Sequence, residues 1–141
     1  MLDDLIKERL NKKKKLEDAG YNVYPSKIER KNLISELLEN FSDLAKSKKK
    51  VAIAGRVMGF RKHGAISFAD LKDESAQIQV LLKKDNFSAK GGSASGGKDY
   101  ILLRENIDIG DFLEVSGKLF LTKAKEKTLE AKTARIITKS I

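Results

Sequence analysis

The sequence has no cysteine and no tryptophan, one histidine and one proline. Without cysteine there can be no disulfide and no thiolate metal site. A single histidine leaves too few soft ligands for a zinc centre. No apolar run approaches the roughly 20 residues that a membrane-spanning helix needs. The opening MLDDLIKERL is acidic, then mixed, which is unlike a secretory leader. These absences point to a soluble chain in a reducing, cytoplasmic setting, with no membrane partner. Catalytic signatures are also scarce. There is no glycine-rich phosphate loop with its lysine and hydroxyl residue, and His63 has no nucleophile near it in sequence. Carboxylates such as Asp70 and Asp73 suit turn capping better than acid–base work.

Positive charge is plentiful. Lys and Arg total 29 against 20 Asp and Glu, a formal net charge of +9. Such a balance suits a polyanion, because each neutralised phosphate releases a counterion, although solubility alone accounts for it equally well. A chain of 141 residues fits one domain with an appendage. The division expected is a helical extension over 1–47 and a β domain over 48–141.

Leu2, Ile6 and Leu10 recur at helical spacing, and Leu16 and Ala19 continue the stripe over 2–19. Gly20 stands where a helix stop is expected. Lys12, Lys13, Lys14 and Lys15 spread charge around a full turn, either as a solvated face or as a phosphate contact. Residues 21–28 read as an extended connector, since Pro25 disfavours helix at Tyr24. Residues 32–46 carry the clearest apolar stripe, with Asn32 as N-cap. From Val51 the period becomes two. Strands are expected from Val51, over 65–71, over 77–83, over 112–120 and over 128–137, with a short helix over 100–104. The first turn falls on Arg61 to Gly64, and Thr122 to Lys127 forms a charged hairpin. The segment SAKGGSASGG at 88–97 is low-complexity and reads as a native loop or an engineered replacement for one.

Five strands with a helix between the third and fourth are the order of an OB-fold barrel. The fold class is therefore mainly β, a five-stranded OB-fold barrel with an N-terminal helical extension, α+β overall. Gly55 and Gly117 fall inside strands, where barrels bend. An SH3-like barrel is the alternative, but a helix at that point is unusual for it. An OB sheet binds nucleic acid through exposed aromatics, each worth about 1–3 kcal/mol per stacked base. Phe68 is such a candidate, or else a core residue, and alternation leaves both open. Gln79 can donate to and accept from a base edge, or be a solvent-facing polar residue. Arg56 and Arg61 can pair with phosphate or base. Glu126 can accept from a base N–H. His63, beside a glycine in a turn, is more often structural.

The pieces RLNKKKKLEDAGYNVYP, VAIAGRVM, ISFADLKDESAQIQV, NIDIGDFLEVSGKLFLTKAKEKTLEAK and ITKSI span nearly the whole chain in order. Together they resemble the N-terminal anticodon-binding region of class II lysyl-tRNA synthetases. The resemblance implies a barrel that reads a uridine-rich anticodon of a lysine tRNA. Phe68 would stack a base, Gln79 and Glu126 would read its edge, and Arg61 would assist. Arg56, His63 and the helix around Lys12 to Lys15 would follow the tRNA backbone. The His63-Gly64 pair is more like the aspartyl and asparaginyl relatives, which keeps an anticodon-binding domain of that branch as an alternative. A general single-strand-binding OB protein is another, and a dimerisation module a third. The parent enzyme implied is a homodimer using ATP and Mg2+ through a catalytic domain that this chain does not contain. The chain alone is expected to bind tRNA as a monomer or dimer, without cofactor and without aminoacylation. It reads as a piece of such an enzyme or as a stand-alone relative.

Overall fold

The period-two segments pair into one sheet that closes on itself. In the computed structural model, which describes residues 2–18, 32–87 and 98–139, the strands are β1 (Val51–His63), β2 (Ile66–Lys72), β3 (Gln77–Lys83), β4 (Phe112–Leu121) and β5 (Lys127–Thr138). They form a closed barrel in the order β1-β2-β3-β5-β4. The β3–β5 pairing is parallel and the other four are antiparallel. This is the five-stranded OB barrel, with helices α1 (Leu2–Asp18), α2 (Ile34–Glu39), α3 (Phe41–Ser47) and α4 (Lys98–Asn106). The expectations for Gly20, for 21–28 and for 88–97 lie outside the described residues.

Alternation decides which face each strand buries. On β2, Ser67, Ala69 and Leu71 point inward, while Ile66, Phe68, Asp70 and Lys72 point outward. On β3, Ile78, Val80 and Leu82 point inward. Of these inner residues Ala69, Leu71, Ile78, Val80 and Leu82 join Val51, Ile53, Leu113, Val115, Leu129 and Ile136 in a single apolar cluster. Each fully buried aliphatic side chain contributes about 1.5–3 kcal/mol. The helices close the cluster, through Leu16 of α1, Ile34 and Leu37 of α2, Phe41 of α3, and Tyr100 and Leu103 of α4. Between β4 and β5, a Cβ on Gly117 would collide with the Glu130 carbonyl oxygen. The strand register shifts at that point.

Several local expectations are corrected. The helix expected over 32–46 is two helices meeting at Asn40. That residue leaves helical geometry, and its side-chain amide donates to the Glu36 carbonyl. Asn32 is not an N-cap. Its backbone N–H and side-chain oxygen both pair with Ala52 of β1, at 3.1 and 3.3 Å. The start of α2 is capped from a distance instead. The Ile34 N–H donates to Asp73 at 2.9 Å and the Ser35 N–H to the Ser75 hydroxyl at 3.0 Å. Burial raises the Asp73 carboxyl, but hydrogen bonds from Ser75, Ile34 and Ala76 outweigh it and hold the group below the usual carboxylate range. Residues 61–63 belong to β1, and the turn is Gly64-Ala65. The short helix expected over 100–104 runs from Lys98 to Asn106. On α1 only Leu16 is buried; Leu2 and Leu10 are exposed.

A buried charge cluster lies where α1, the approach to β4 and the end of β5 meet. Lys139 Nζ donates to Asp108 and to Asp111, each at 2.6 Å. Lys12 Nζ donates to the other Asp108 oxygen at 2.7 Å. The Asp108 N–H donates to Asp111 at 2.8 Å. This clasp ties α1, the approach to β4 and the residue after β5 together. Burial raises the Asp108 carboxyl, yet Lys12 and Lys139 prevail and hold it below the usual range.

Candidate nucleic-acid interface

The register of the sheet builds the candidate site row by row. Arg61 of β1 faces Phe68 of β2, and Phe68 faces Leu81 of β3. One row along, Gly59, Asp70, Gln79 and Thr128 stand side by side across β1, β2, β3 and β5. Four segments well separated in sequence thus supply one patch on the outer face of the barrel.

Phe68 is half-buried and lies outside the core cluster. The Arg61 guanidinium stands 5.9 Å from its ring centre, and His63 meets it edge-on with ring centres 6.2 Å apart. Arg61 is held in a fork: one nitrogen donates to Asp70 at 2.8 Å, and the other donates to Asp70 at 3.3 Å and to Gln79 Oε1 at 3.0 Å. The Asp70 hydrogen bond raises the Arg61 pKa above its ordinary value. The charges of Asp70 and Glu126 add to this, and together they outweigh partial burial. The absence of a side chain at Gly59 makes room for the fork, since a Cβ there would lie 2.8 Å from an Asp70 oxygen.

The nitrogen end of the Gln79 amide is engaged as well: Nε2 donates to the Thr128 hydroxyl at 3.0 Å. That hydroxyl donates to the Glu126 carbonyl at 3.2 Å. The Glu126 carboxylate itself is exposed on the β4–β5 hairpin, near enough to act on the Arg61 charge. The hairpin is closed by Thr122, whose hydroxyl accepts from the Glu126 N–H at 3.1 Å. At the other edge of the patch, α4 pins the β1–β2 turn. Tyr100 Oη and Arg104 both donate to the Gly64 carbonyl, at 3.1 and 2.9 Å. With its proton so used, Tyr100 accepts from the buried Ser67 hydroxyl at 2.8 Å.

Arg61, Phe68, Gln79 and Glu126 are therefore brought together, with His63 at the margin. Arg56 is not among them. It lies on β1 beside Lys72 and Phe112, its guanidinium 4.9 Å from the Phe112 ring centre. There it borders an open groove of about 780 Å³ lined also by Met58, Glu74 and Ile137. Lys12 points into the clasp, whereas Lys14 and Lys15 are exposed. Among the described residues no group of three or more His, Cys, Asp or Glu is placed to hold a metal ion.

Residues 51–137 match the model of the family of OB-fold nucleic acid binding domains. The chain belongs to that family. Its OB domain is similar, together with the helices, to lysine–tRNA ligases. Identity is 36% over 140 residues with the lysine–tRNA ligase of Carboxydothermus hydrogenoformans, covering 99% of this chain and 26% of that protein. It is 35% over 123 residues with lysine–tRNA ligase 2 of Methanosarcina mazei, covering 86% and 22%. It is 34% over 143 residues with the enzyme of Clostridium acetobutylicum, covering 99% and 25%. The chain spans about a quarter of the length of these curated relatives.

Asp70 on this OB surface and Thr128 buried beneath it complete the hydrogen-bonded network and were not expected in it. Asp70 had a signal: it sits two residues from Phe68, hence on the same face of β2. Thr128 had none, because its place beside Gln79 depends on the parallel β3–β5 register.

Proposed function

We propose that this chain is the anticodon-binding domain of a lysine–tRNA ligase and reads a uridine-rich anticodon on the outer face of β1, β2 and β3. The observation that carries the reading is the convergence of Arg61, Phe68, Gln79 and Glu126 from four separate segments. A uracil edge alternates acceptor, donor, acceptor. Arg61 and the Gln79 amide donate to carbonyl oxygens, while the Glu126 carboxylate accepts the ring N–H. Phe68 supplies the stacking surface. A carboxylate at a polyanion site repels phosphate, so its presence favours reading a base over gripping the backbone. Exposed lysines such as Lys14 and Lys15 supply the salt-dependent part of the affinity. In the whole enzyme, aminoacylation with ATP and Mg2+, dimer formation and a cytoplasmic setting belong to this same reading. No residue of this chain is assigned to holding ATP or metal.

A competition experiment tests it. An anticodon stem-loop rich in uridine should displace an unrelated single-stranded RNA of equal length, at fixed salt, by at least tenfold. Equal affinities for the two would instead make this a general single-strand binder.

A further inference from the structure

We infer that Thr128 is a positioning residue that fixes which way the Gln79 amide faces, and through it the preference for uridine over cytidine; the inference rests on the reading face proposed above. Thr128 is fully buried, on the side of Gln79 opposite Arg61. A hydroxyl is ambivalent and can donate or accept. Here its polarity is set by the Glu126 carbonyl, which can only accept. The hydroxyl proton is thereby committed, and its lone pair is left for the Gln79 amide nitrogen at 3.0 Å. At the other end of the amide stands Arg61, which can only donate, and it meets Oε1 at 3.0 Å. Asp70 in turn holds Arg61.

A directional relay thus runs from Asp70 through Arg61, Gln79 and Thr128 to the hairpin that carries Glu126. Reversing the amide would set donor against donor at Arg61. It would also leave the Thr128 hydroxyl facing an oxygen with no proton to give. One proton remains on Nε2 for a ligand, aimed from a fixed amide. That pattern suits a carbonyl oxygen and rejects an exocyclic amino group, the difference between uracil and cytosine. Removing the hydroxyl leaves Arg61 alone to oppose reversal, which lowers the cost of presenting oxygen in place of nitrogen.

The test uses two anticodon stem-loops that differ only by uridine or cytidine at the read position. The wild-type protein and Thr128→Ser, which keeps the hydroxyl, should both prefer uridine. The isosteric Thr128→Val should lose on the order of fivefold of that preference, the size of one net hydrogen bond, with its affinity for the cytidine loop held or raised. An undiminished preference in Thr128→Val overturns the inference while leaving the reading face intact. No preference in the wild-type protein overturns both. Wild-type NMR gives a readout that needs no variant to fold: one Gln79 Nε2 proton, held by Thr128, should exchange slowly with solvent. Fast exchange of both protons overturns the inference.

Discussion

The clasp around Lys139 and the fork around Arg61 are built from the same parts, a cation between acceptors, yet they are suited to opposite tasks. In the clasp, Lys139 and Asp111 are fully buried and Asp108 is 19% exposed. In the fork, Arg61 is 43% exposed and Asp70 25%. A buried ion pair gains from low dielectric but punishes the loss of either partner by about 3–5 kcal/mol. A half-exposed pair contributes little to stability, but it keeps unused donors pointed at solvent. Arg61 has five N–H donors and spends only part of them on Asp70 and Gln79. Burial and saturation make charge structural; exposure and spare donors make it available to a ligand.

The sharpest way to break this contrast is Lys139→Met. It leaves Asp108 and Asp111 without their shared partner and should cost about 3–5 kcal/mol in urea denaturation. The same change should leave the RNA affinity of the folded protein unaltered. Acid attacks the same region more gently. Asp108 is held below its ordinary value in the folded chain, so its contribution to stability is present above the unfolded value, about 3.9. That contribution is lost as pH falls through the folded value. Melting temperature should therefore decline below about pH 4, and Asp108→Asn should flatten that part of the profile. On the other side of the contrast, Phe68→Ala should weaken anticodon stem-loop binding by about 1–3 kcal/mol in a titration, with a much smaller change in melting temperature. The smallest effect is expected at the exposed lysines. Lys14→Ala with Lys15→Ala should reduce the slope of log affinity against log salt by about one per lost phosphate contact. Selectivity among RNA sequences should be unchanged.

How much of this was legible without coordinates depended on the range of the interaction. The succession of strands along the chain and the helix before β4 were readable, because alternation and turn chemistry are local. The break at Asn40 was hidden because the apolar stripe continues across it: Ile34, Leu37 and Phe41 all reach the core. The cap of α2 was misread at Asn32 because the true acceptors, Asp73 and Ser75, come from the β2–β3 turn. Phe68 could be placed neither in the core nor outside it from Ser67-Phe68-Ala69 alone. Its outward position follows from the inward set of Ser67, Ala69 and Leu71. The clasp was invisible, since Lys12, Asp108 and Lys139 carry no spacing signal and meet only through the closed barrel.

The most direct test of the reading face is an NMR titration of backbone and side-chain amides with the uridine-rich anticodon stem-loop. The largest shifts should fall on Arg61, Phe68, Gln79, Glu126 and Thr128, with Arg56, Met58 and Phe112 little moved. Shifts concentrated on the Arg56–Phe112 groove, with the Phe68 patch silent, would contradict the account.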